Sequence, residues 1–260
     1  MNRVTGRAIS PGKARGKAVV LDEDFGFLGG VDPASGDLQV PPHANITDKI
    51  MVFPRGKGST VGSFTMYDLK VKGKAPAAII NEEAETIVAT GAVISSIPLV
   101  DKIDLSLIKD GDLIEVDGDK GEIAFPELGT KGVVTSILVR DGKALLLKRS
   151  PEVGIFPGRW SWLTGTMEEG ESPLETAQRE IFEETGLKVG VPIRRAESYL
   201  ARNDDVIWTV YPMLFSVEEG EPCLNWESTD CAWVLEEDLA DRDTVPGVER
   251  PHLDLEVWGP

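Results

Sequence analysis

The stretch from Ser172 to Gly186 is the most strongly punctuated part of the chain. Ser172 with Glu175 three positions later forms a capping box, Pro173 occupies a first-turn position where a missing N–H costs nothing, and Gly186 supplies a left-handed stop. This spacing predicts a helix over 173–185. On it Glu180, Glu183 and Glu184 stand at i, i+3 and i+4, so three carboxylates share one face. Like charges at that spacing destabilise a helix unless something compensates. A solvated acidic face is one reading. The other is a hard divalent cation, Mg²⁺ or Mn²⁺, which takes carboxylate oxygens and keeps waters for a substrate phosphate.

The acid is unevenly spread along the 260 residues. The net charge is −17; residues 1–128 hold 14 Lys/Arg against 19 Asp/Glu, and residues 129–260 hold 13 against 25. All six tryptophans also fall in the second half. Both trends switch at the turn-rich stretch Phe125–Gly132, which places a boundary near residue 128 and predicts two domains, 1–128 and 129–260. The acidity argues against a nucleic-acid polymer as partner and against docking on anionic lipid. Two cysteines, Cys223 and Cys231, support neither a disulfide framework nor a cysteine-ligated cluster. The opening MNRVTGRAIS lacks an apolar signal region and no apolar run approaches the ~18 residues of a membrane span, so a cytoplasmic chain without a membrane partner is expected.

In the first half, 16–21, 49–53 and 77–80 read as strands, 82–90 as a helix and 92–97 as a further strand. Residues 111–116 and 122–125 flank a DG turn and read as a hairpin. Two glycine-rich segments interrupt this pattern, FGFLGGVDP (25–33) and PRGKGSTVGS (54–63). In the second, small residues let backbone approach a ligand, Arg55 and Lys57 add positive charge, and Ser59 and Ser63 offer hydroxyls. From the residues alone this segment is either a structural loop or an anion site. His43, after Pro41-Pro42, is a candidate neighbour of that site, whereas His252 reads as a surface residue.

The run FGFLGGVDPASG, then PRGKGSTVGS, then GKAPAAIINEEAETIVATGAVISSIP resembles the small subunit of aconitase-X proteins, a family that includes the phosphomevalonate dehydratase small subunit. The resemblance covers residues 3–105 and implies a swivelling β/β/α domain that completes an active site on a separate large subunit carrying an iron–sulfur cluster. It maps the family's catalytic serine onto Ser59, as proton acceptor during dehydration, with Arg55 and Gly58 as substrate-binding neighbours. Leu28 departs from the aromatic residue common before the paired glycines.

In the second half, the apolar runs 133–139 and 144–147 flank Asp141-Gly142 and read as a hairpin. Gly165, Glu171, Arg179-Glu180, Ile181, Glu183-Glu184, Gly186 and Leu187 fit the pattern G-x5-E-x7-R-E-U-x-E-E-x-G-U at every fixed position, where U is a bulky aliphatic residue. This is similar to the Nudix box. The resemblance spans 132–240 and implies an α/β/α sandwich, so that the whole chain is an α/β two-domain protein. It implies that Glu180, Glu183 and Glu184 bind the divalent metal, with Glu168 as a further ligand or base, Glu180 and Glu183 catalytic, and Glu171–Arg179 an orienting ion pair. Leu163-Thr164-Gly165 departs from the Pro-Gly-Gly common before the box.

Nudix enzymes hydrolyse a diphosphate joined to another group, and residues outside the box choose the substrate. Arg159 and Trp160 are the candidate substrate-binding pair. Trp162, Tyr199, Trp208 and Tyr211 are further apolar-wall candidates, and Arg194, Arg195 and Arg202 further phosphate clamps. Glu227 is either a late base or a surface carboxylate. The expected protein is a dehydratase small-subunit-like domain fused to a Mg²⁺-dependent diphosphate hydrolase, acting on an isoprenoid diphosphate or a nucleoside diphosphate derivative. The alternatives are a Nudix half that senses a ligand without hydrolysis, and an N-terminal half that serves only as an interaction module.

Overall fold

The computed structural model describes residues 2–259. Contacts divide the chain into two compact units, residues 1–130 together with 204–207, and the remainder.

The first unit is built on strands β1 (Asn2–Thr5), β2 (Arg7–Ser10), β3 (Lys13–Val20), β4 (Ile50–Arg55), β5 (Ala78–Glu83), β6 (Leu99–Asp101), β7 (Leu113–Asp117) and β8 (Glu122–Phe125), in the order β1-β8-β7-β3-β4-β5-β6-β2. Strand β3 serves two ladders. Lys13–Lys17 pair antiparallel with β7, and Ala18–Val20 pair parallel with β4. The parallel run β3-β4-β5-β6 requires crossovers, and helices α1 (Val61–Val71) and α2 (Thr86–Ile94) supply two of them. The continuous apolar run at Ile50–Phe53 follows from this, because a parallel strand covered on both faces has no solvated side.

Close approach of the helices depends on small residues. A Cβ on Gly91 of α2 would overlap the sulfur of Met66 on α1. Strand β2 is tied to the far edge by Arg7, which donates to both carboxylate oxygens of buried Asp101 at 2.9 and 2.6 Å. Burial alone would raise the Asp101 carboxyl, but the Arg7 hydrogen bonds and the Ala84 N–H outweigh it and hold it below the usual carboxylate range.

The structure corrects the expected strand at 92–97. Glu85 caps α2 by accepting from the Ile87 N–H, and the helix continues to Ile94 before Ser96 turns the backbone at φ 50°. Of the apolar residues there, Ala92 faces the core from the helix, Val93 and Ile94 are exposed, and the strand is β6, beyond Pro98. The glycine-rich segment 54–63 is also not wholly a loop. Its last three residues form the first turn of α1, where buried Ser63 donates to the Ile87 carbonyl at 3.1 Å.

In the second unit, strands β9 (Gly129–Arg140) and β10 (Lys143–Arg149) form the expected hairpin, with Asp141 at φ 53° and Gly142 at φ 75°. With β11 (Trp160–Ser161), β12 (Leu163–Thr166), β13 (Arg194–Arg195), β14 (Tyr199–Asn203), β15 (Val206–Ser216) and β16 (Ser228–Val234) they make one mixed sheet. Period-2 alternation sends Leu145 and Leu147 to one face and Ala144 and Leu146 to the other. Helix α3 (Pro173–Thr185) covers the first face with Ala177 and Ile181, and the C-terminal segment with helix α4 (Glu249–Asp254) covers the second. The result is an α/β/α sandwich.

His252 is not a surface residue. It is buried on α4 against the rings of Trp162 and Trp258, at 6.0 and 5.3 Å.

Candidate functional sites

The two glycine-rich segments of the first unit meet as a two-stranded bridge. The Phe25 N–H donates to the Arg55 carbonyl and the Lys57 N–H returns to the Phe25 carbonyl, each at 2.9 Å. Beneath them Phe25, Phe27 and Phe53 pack edge to face with centroids 5.0–6.2 Å apart. Gly26 has to be small here, since a Cβ would stand 2.8 Å from the Lys57 carbonyl oxygen. The joined loops border a cleft of about 620 Å³ lined by Lys57, Gly58, Ser59, Leu28, Gly29 and the acids Asp22, Glu23 and Asp24, among others.

Ser59 is exposed at this cleft, directly before the N-terminus of α1, and the Gly62 N–H donates to its carbonyl. Gly58 adopts φ 112°, which a side chain would strain. Arg55 is not among the lining residues; it points along the β4–β5 ladder to Glu83, 3.9 Å away. His43 lies outside the cleft lining as well, in a turn at φ 55° after the cis Pro41-Pro42 bond.

In the second unit, α3 begins and ends as the sequence predicts. Both capping-box hydrogen bonds between Ser172 and Glu175 form, and Gly186 closes the helix at φ 69°. Arg179 is the hub. Its guanidinium donates to Glu171 at 2.8 and 3.0 Å, to Glu180 at 2.9 Å, to Glu183 at 3.2 Å and to the Thr166 carbonyl at 3.2 Å. The loop 166–171 is thereby clamped to the helix.

Glu171 also accepts from the Glu168 N–H and the Thr176 hydroxyl. With Arg179 first among its partners, its carboxyl is lowered to about 2. Glu184 has the opposite environment. It is buried, and burial first, then the charges of Glu227 and Glu180, push its carboxyl up to about 8. Burial likewise raises Glu180, with Arg179 opposing. Glu183 and Glu168 are exposed.

A buried carboxyl whose anion is disfavoured first by burial and then by two neighbouring carboxylates suits a cation. Among the described residues, however, no three acids are gathered at ligand geometry, and Arg179 engages both Glu180 and Glu183. Taking up a metal ion there requires those two carboxylates to exchange guanidinium for cation.

Glu180 borders a cleft of about 470 Å³ whose walls include Thr135, Thr164, Trp162, Tyr199, Trp208 and Val210. Pairing of Thr164 with Thr135, and alternation along β14 and β15, direct these side chains to one side of the sheet. Of the aromatic candidates, Trp162, Tyr199 and Trp208 reach this cleft. Trp160 does not; Arg242 covers its ring at 4.4 Å. Arg159 is likewise not a lining residue and turns to Asp243 and the Thr244 carbonyl. Tyr211 packs in the core, and Arg194 binds the Leu255 carbonyl and Glu256.

The lining arginine is Arg149, at the end of β10, oriented by the Ile155 carbonyl at 2.8 Å. Sequence reading passed over it, although the alternating pattern of β10 places it one step beyond the core residue Leu147. Glu227 also lines the cleft, with its carbonyl held by the Ser150 N–H at 2.6 Å.

Two folds, each with its own cleft, therefore make up the chain. A β/β/α swivel unit carries an exposed serine, and an α/β/α sandwich carries the carboxylate helix of a Nudix domain. The chain matches the family model of the aconitase X swivel domain over residues 3–125 and that of the NUDIX domain over 130–254. It belongs to the phosphomevalonate dehydratase small subunit family through its first half, being 57% identical to the phosphomevalonate dehydratase small subunit of Thermococcus sibiricus over 129 residues, 48% of this chain and 99% of the relative. Among solved structures it is similar to aconitase X from Thermococcus kodakaraensis, with 50% identity, 49% of this chain and 100% of that one covered, and a TM-score of 0.48. The second half is similar to a MutT protein from Methanosarcina mazei, with 25% identity, coverages of 48% and 90%, and a TM-score of 0.42.

Proposed function

We propose that the chain joins the small subunit of a phosphomevalonate dehydratase-type hydro-lyase to a Mg²⁺-dependent hydrolase of organic diphosphates. The hydrolase reading rests on one observation above the others: Glu184 is buried on the carboxylate face of α3, and burial first, then the charges of Glu227 and Glu180, push its carboxyl up to about 8, a penalty on its anion that a divalent cation relieves. Glu180, Glu183 and Glu184 would hold the ion, with Glu168 or Glu227 available from the adjoining loops. Bound there, the ion supplies charge neutralisation at the bridging phosphate oxygens and acidifies attacking water.

The chain's own residues do the rest. Arg179 fixes the loop and the helix as one frame. A glutamate of the cluster accepts the proton of the attacking water. Arg149 holds a phosphate oxygen, and Trp162, Tyr199 and Trp208 form the wall for the group attached to the diphosphate, isoprenoid or nucleoside.

In the first unit, Ser59 Oγ takes the proton of a substrate C–H bond, whose electron pair forms the double bond as hydroxide leaves the neighbouring carbon. The phosphate of such a substrate finds Lys57 and the Gly58 backbone in the same cleft. An iron–sulfur cluster does not fit this chain, whose two cysteines are exposed Cys223 and half-buried Cys231 of the other unit. It belongs to a separate large subunit, as the relatives' description as small subunits supports.

Hydrolysis is tested by incubating the full chain with Mg²⁺ and a panel of isoprenoid and nucleoside diphosphates. Turnover of one class is expected, falling on the order of 100-fold or more in the Glu183→Gln/Glu184→Gln variant. Absence of turnover across the panel, or turnover indifferent to that double substitution, refutes the assignment.

A further inference from the structure

The lining of the cleft beside Glu180 divides by chemistry. Glu180, Glu227 and Arg149 carry its charge, whereas Ile155, Phe156, Trp162 and the segment 245–251 form an apolar wall. The polar groups of that wall are committed within it. The Trp162 Nε1–H donates to the Val248 carbonyl at 2.7 Å, and the Val245 N–H donates to the Trp160 carbonyl at 2.9 Å. The Val248 N–H turns back to the Val245 carbonyl, the Gly247 carbonyl accepts from the Arg250 N–H, and Pro246 and Pro251 have no N–H to offer. A nucleobase laid against this wall would leave its edge donors and acceptors unpaired, which costs affinity. Of the rings that could stack a flat base, Tyr199 already carries Arg250 on one face at 3.7 Å and Trp208 carries Lys131 at 5.5 Å.

The rim of the cleft has the same character. Ile155 and Phe156 are 45% and 42% exposed although both line the cleft. The loop that presents them is built on Arg149. The Gly158 N–H donates to the Arg149 carbonyl at 3.0 Å, the Arg149 N–H donates to the Arg159 carbonyl at 2.9 Å, and Arg149 Nε holds the Ile155 carbonyl at 2.8 Å. A phosphate that meets this guanidinium therefore brings its attached group beside Ile155 and Phe156.

We infer that the cleft takes diphosphates of short alkyl or alkenyl alcohols, and that Ile155 and Phe156 set this specificity. This rests on the reading of the second unit as a diphosphate enzyme. The alkyl group covers apolar surface that is otherwise open to water, and each CH₂ so enclosed raises affinity about fourfold. A cleft of about 470 Å³ that also holds the diphosphate and its cation suits a short group better than a long chain.

The test uses the full chain with Mg²⁺ and a series from ethyl through butyl to dimethylallyl and geranyl diphosphate, beside ADP and UDP. The kcat/KM should rise about fourfold for each added carbon up to dimethylallyl and exceed that for either nucleotide by about 10-fold or more. Ile155→Ser should flatten this gradient to about twofold or less per carbon. Phe156→Gly should do the same without a folding penalty, since Phe156 sits at φ 48°, where glycine is at ease. Val191→Ser, at a residue 77% exposed and not among the lining residues, should keep the gradient. The matching alkyl methylenediphosphonates, titrated by calorimetry with Mg²⁺, should show it in Kd.

ADP or UDP turned over faster than every alkyl diphosphate overturns the inference and leaves the hydrolase reading standing. A gradient unchanged in both loop variants overturns the assignment of Ile155 and Phe156. Diphosphonates that bind with the gradient while no diphosphate is hydrolysed keep the inference and remove hydrolysis alone, whereas flat binding without hydrolysis removes both.

Discussion

Gly165 and Glu180 occupy adjoining volume with nothing to spare: a Cβ on Gly165 would overlap Cγ and the carboxyl carbon of Glu180. The glycine of the loop is therefore a steric condition on where the first carboxylate of α3 can lie. Gly165→Ala should displace Glu180, weaken Mg²⁺ binding and lower turnover about 10-fold or more, at a stability cost of about 1–3 kcal/mol for overpacking. Mg²⁺ titration by calorimetry, beside a thermal melt, separates the two effects. Unchanged Mg²⁺ affinity would contradict the steric account.

Glu171 and Arg179 give a pH dependence of known sign. The folded carboxyl lies at about 2, below its unfolded value of about 4.3. The pair's contribution is present above the unfolded value and is lost as pH falls from about 4.3 toward 2. The melting temperature of Glu171→Gln should lie below that of the wild type by a constant interval above pH 5, and the interval should close in acid. A gap undiminished at pH 2.5 would show that the carboxylate charge is not its source.

Glu184 has the reverse sign. Its folded carboxyl is raised to about 8, so in Mg²⁺-free buffer the stability present below about pH 4.3 is lost progressively as pH rises through about 8. Added Mg²⁺ has to displace a proton at pH 6 but not at pH 9. The Mg²⁺-induced rise in melting temperature should therefore be larger at pH 9, and Glu184→Gln should abolish this pH dependence. Equal increments at both pH values would count against Glu184 as a ligand.

Arg149 is the guanidinium that the fold delivers to the Glu180 cleft. Arg149→Ala should raise KM or lower kcat for diphosphates by about 10-fold or more, whereas Arg159→Ala, held at Asp243, should leave both within about twofold. Steady-state kinetics on the same substrate decide between them.

In the first unit, Asp101→Asn leaves the Arg7 guanidinium without its buried carboxylate and removes the strand-edge clamp. A loss of about 1–3 kcal/mol is expected from the lost charge-assisted hydrogen bonds, below that of a fully buried pair because the Arg7 side chain is 54% exposed and stays solvated. Urea denaturation followed at this unit measures it.

What could be read from the sequence was local and strongly patterned. The limits of α3 follow from Ser172, Glu175, Pro173 and Gly186, each of which acts within one turn, and the β9–β10 hairpin follows from Asp141-Gly142. The end of the helix at 86–94 reads as a strand in sequence because Val93 and Ile94 are apolar although exposed, which erases the 3.6-residue period. Arg149 and His252 were missed or misplaced for a different reason. Arg149 shares its cleft with the segment 245–251 and His252 packs against Trp162, and no spacing rule reports such contacts. Arg159 and Trp160 looked attractive for standing next to the box, but strand pairing turns them toward Asp243 and Arg242.

The bridge between Phe25 and Lys57 joins residues 32 positions apart in the sequence into a single mechanical piece. The two walls of the Ser59 cleft cannot open independently. Their amide protons should exchange with solvent at a common rate set by one opening event, and a substitution at Gly26 should be felt at Ser59 as directly as a change beside the serine itself.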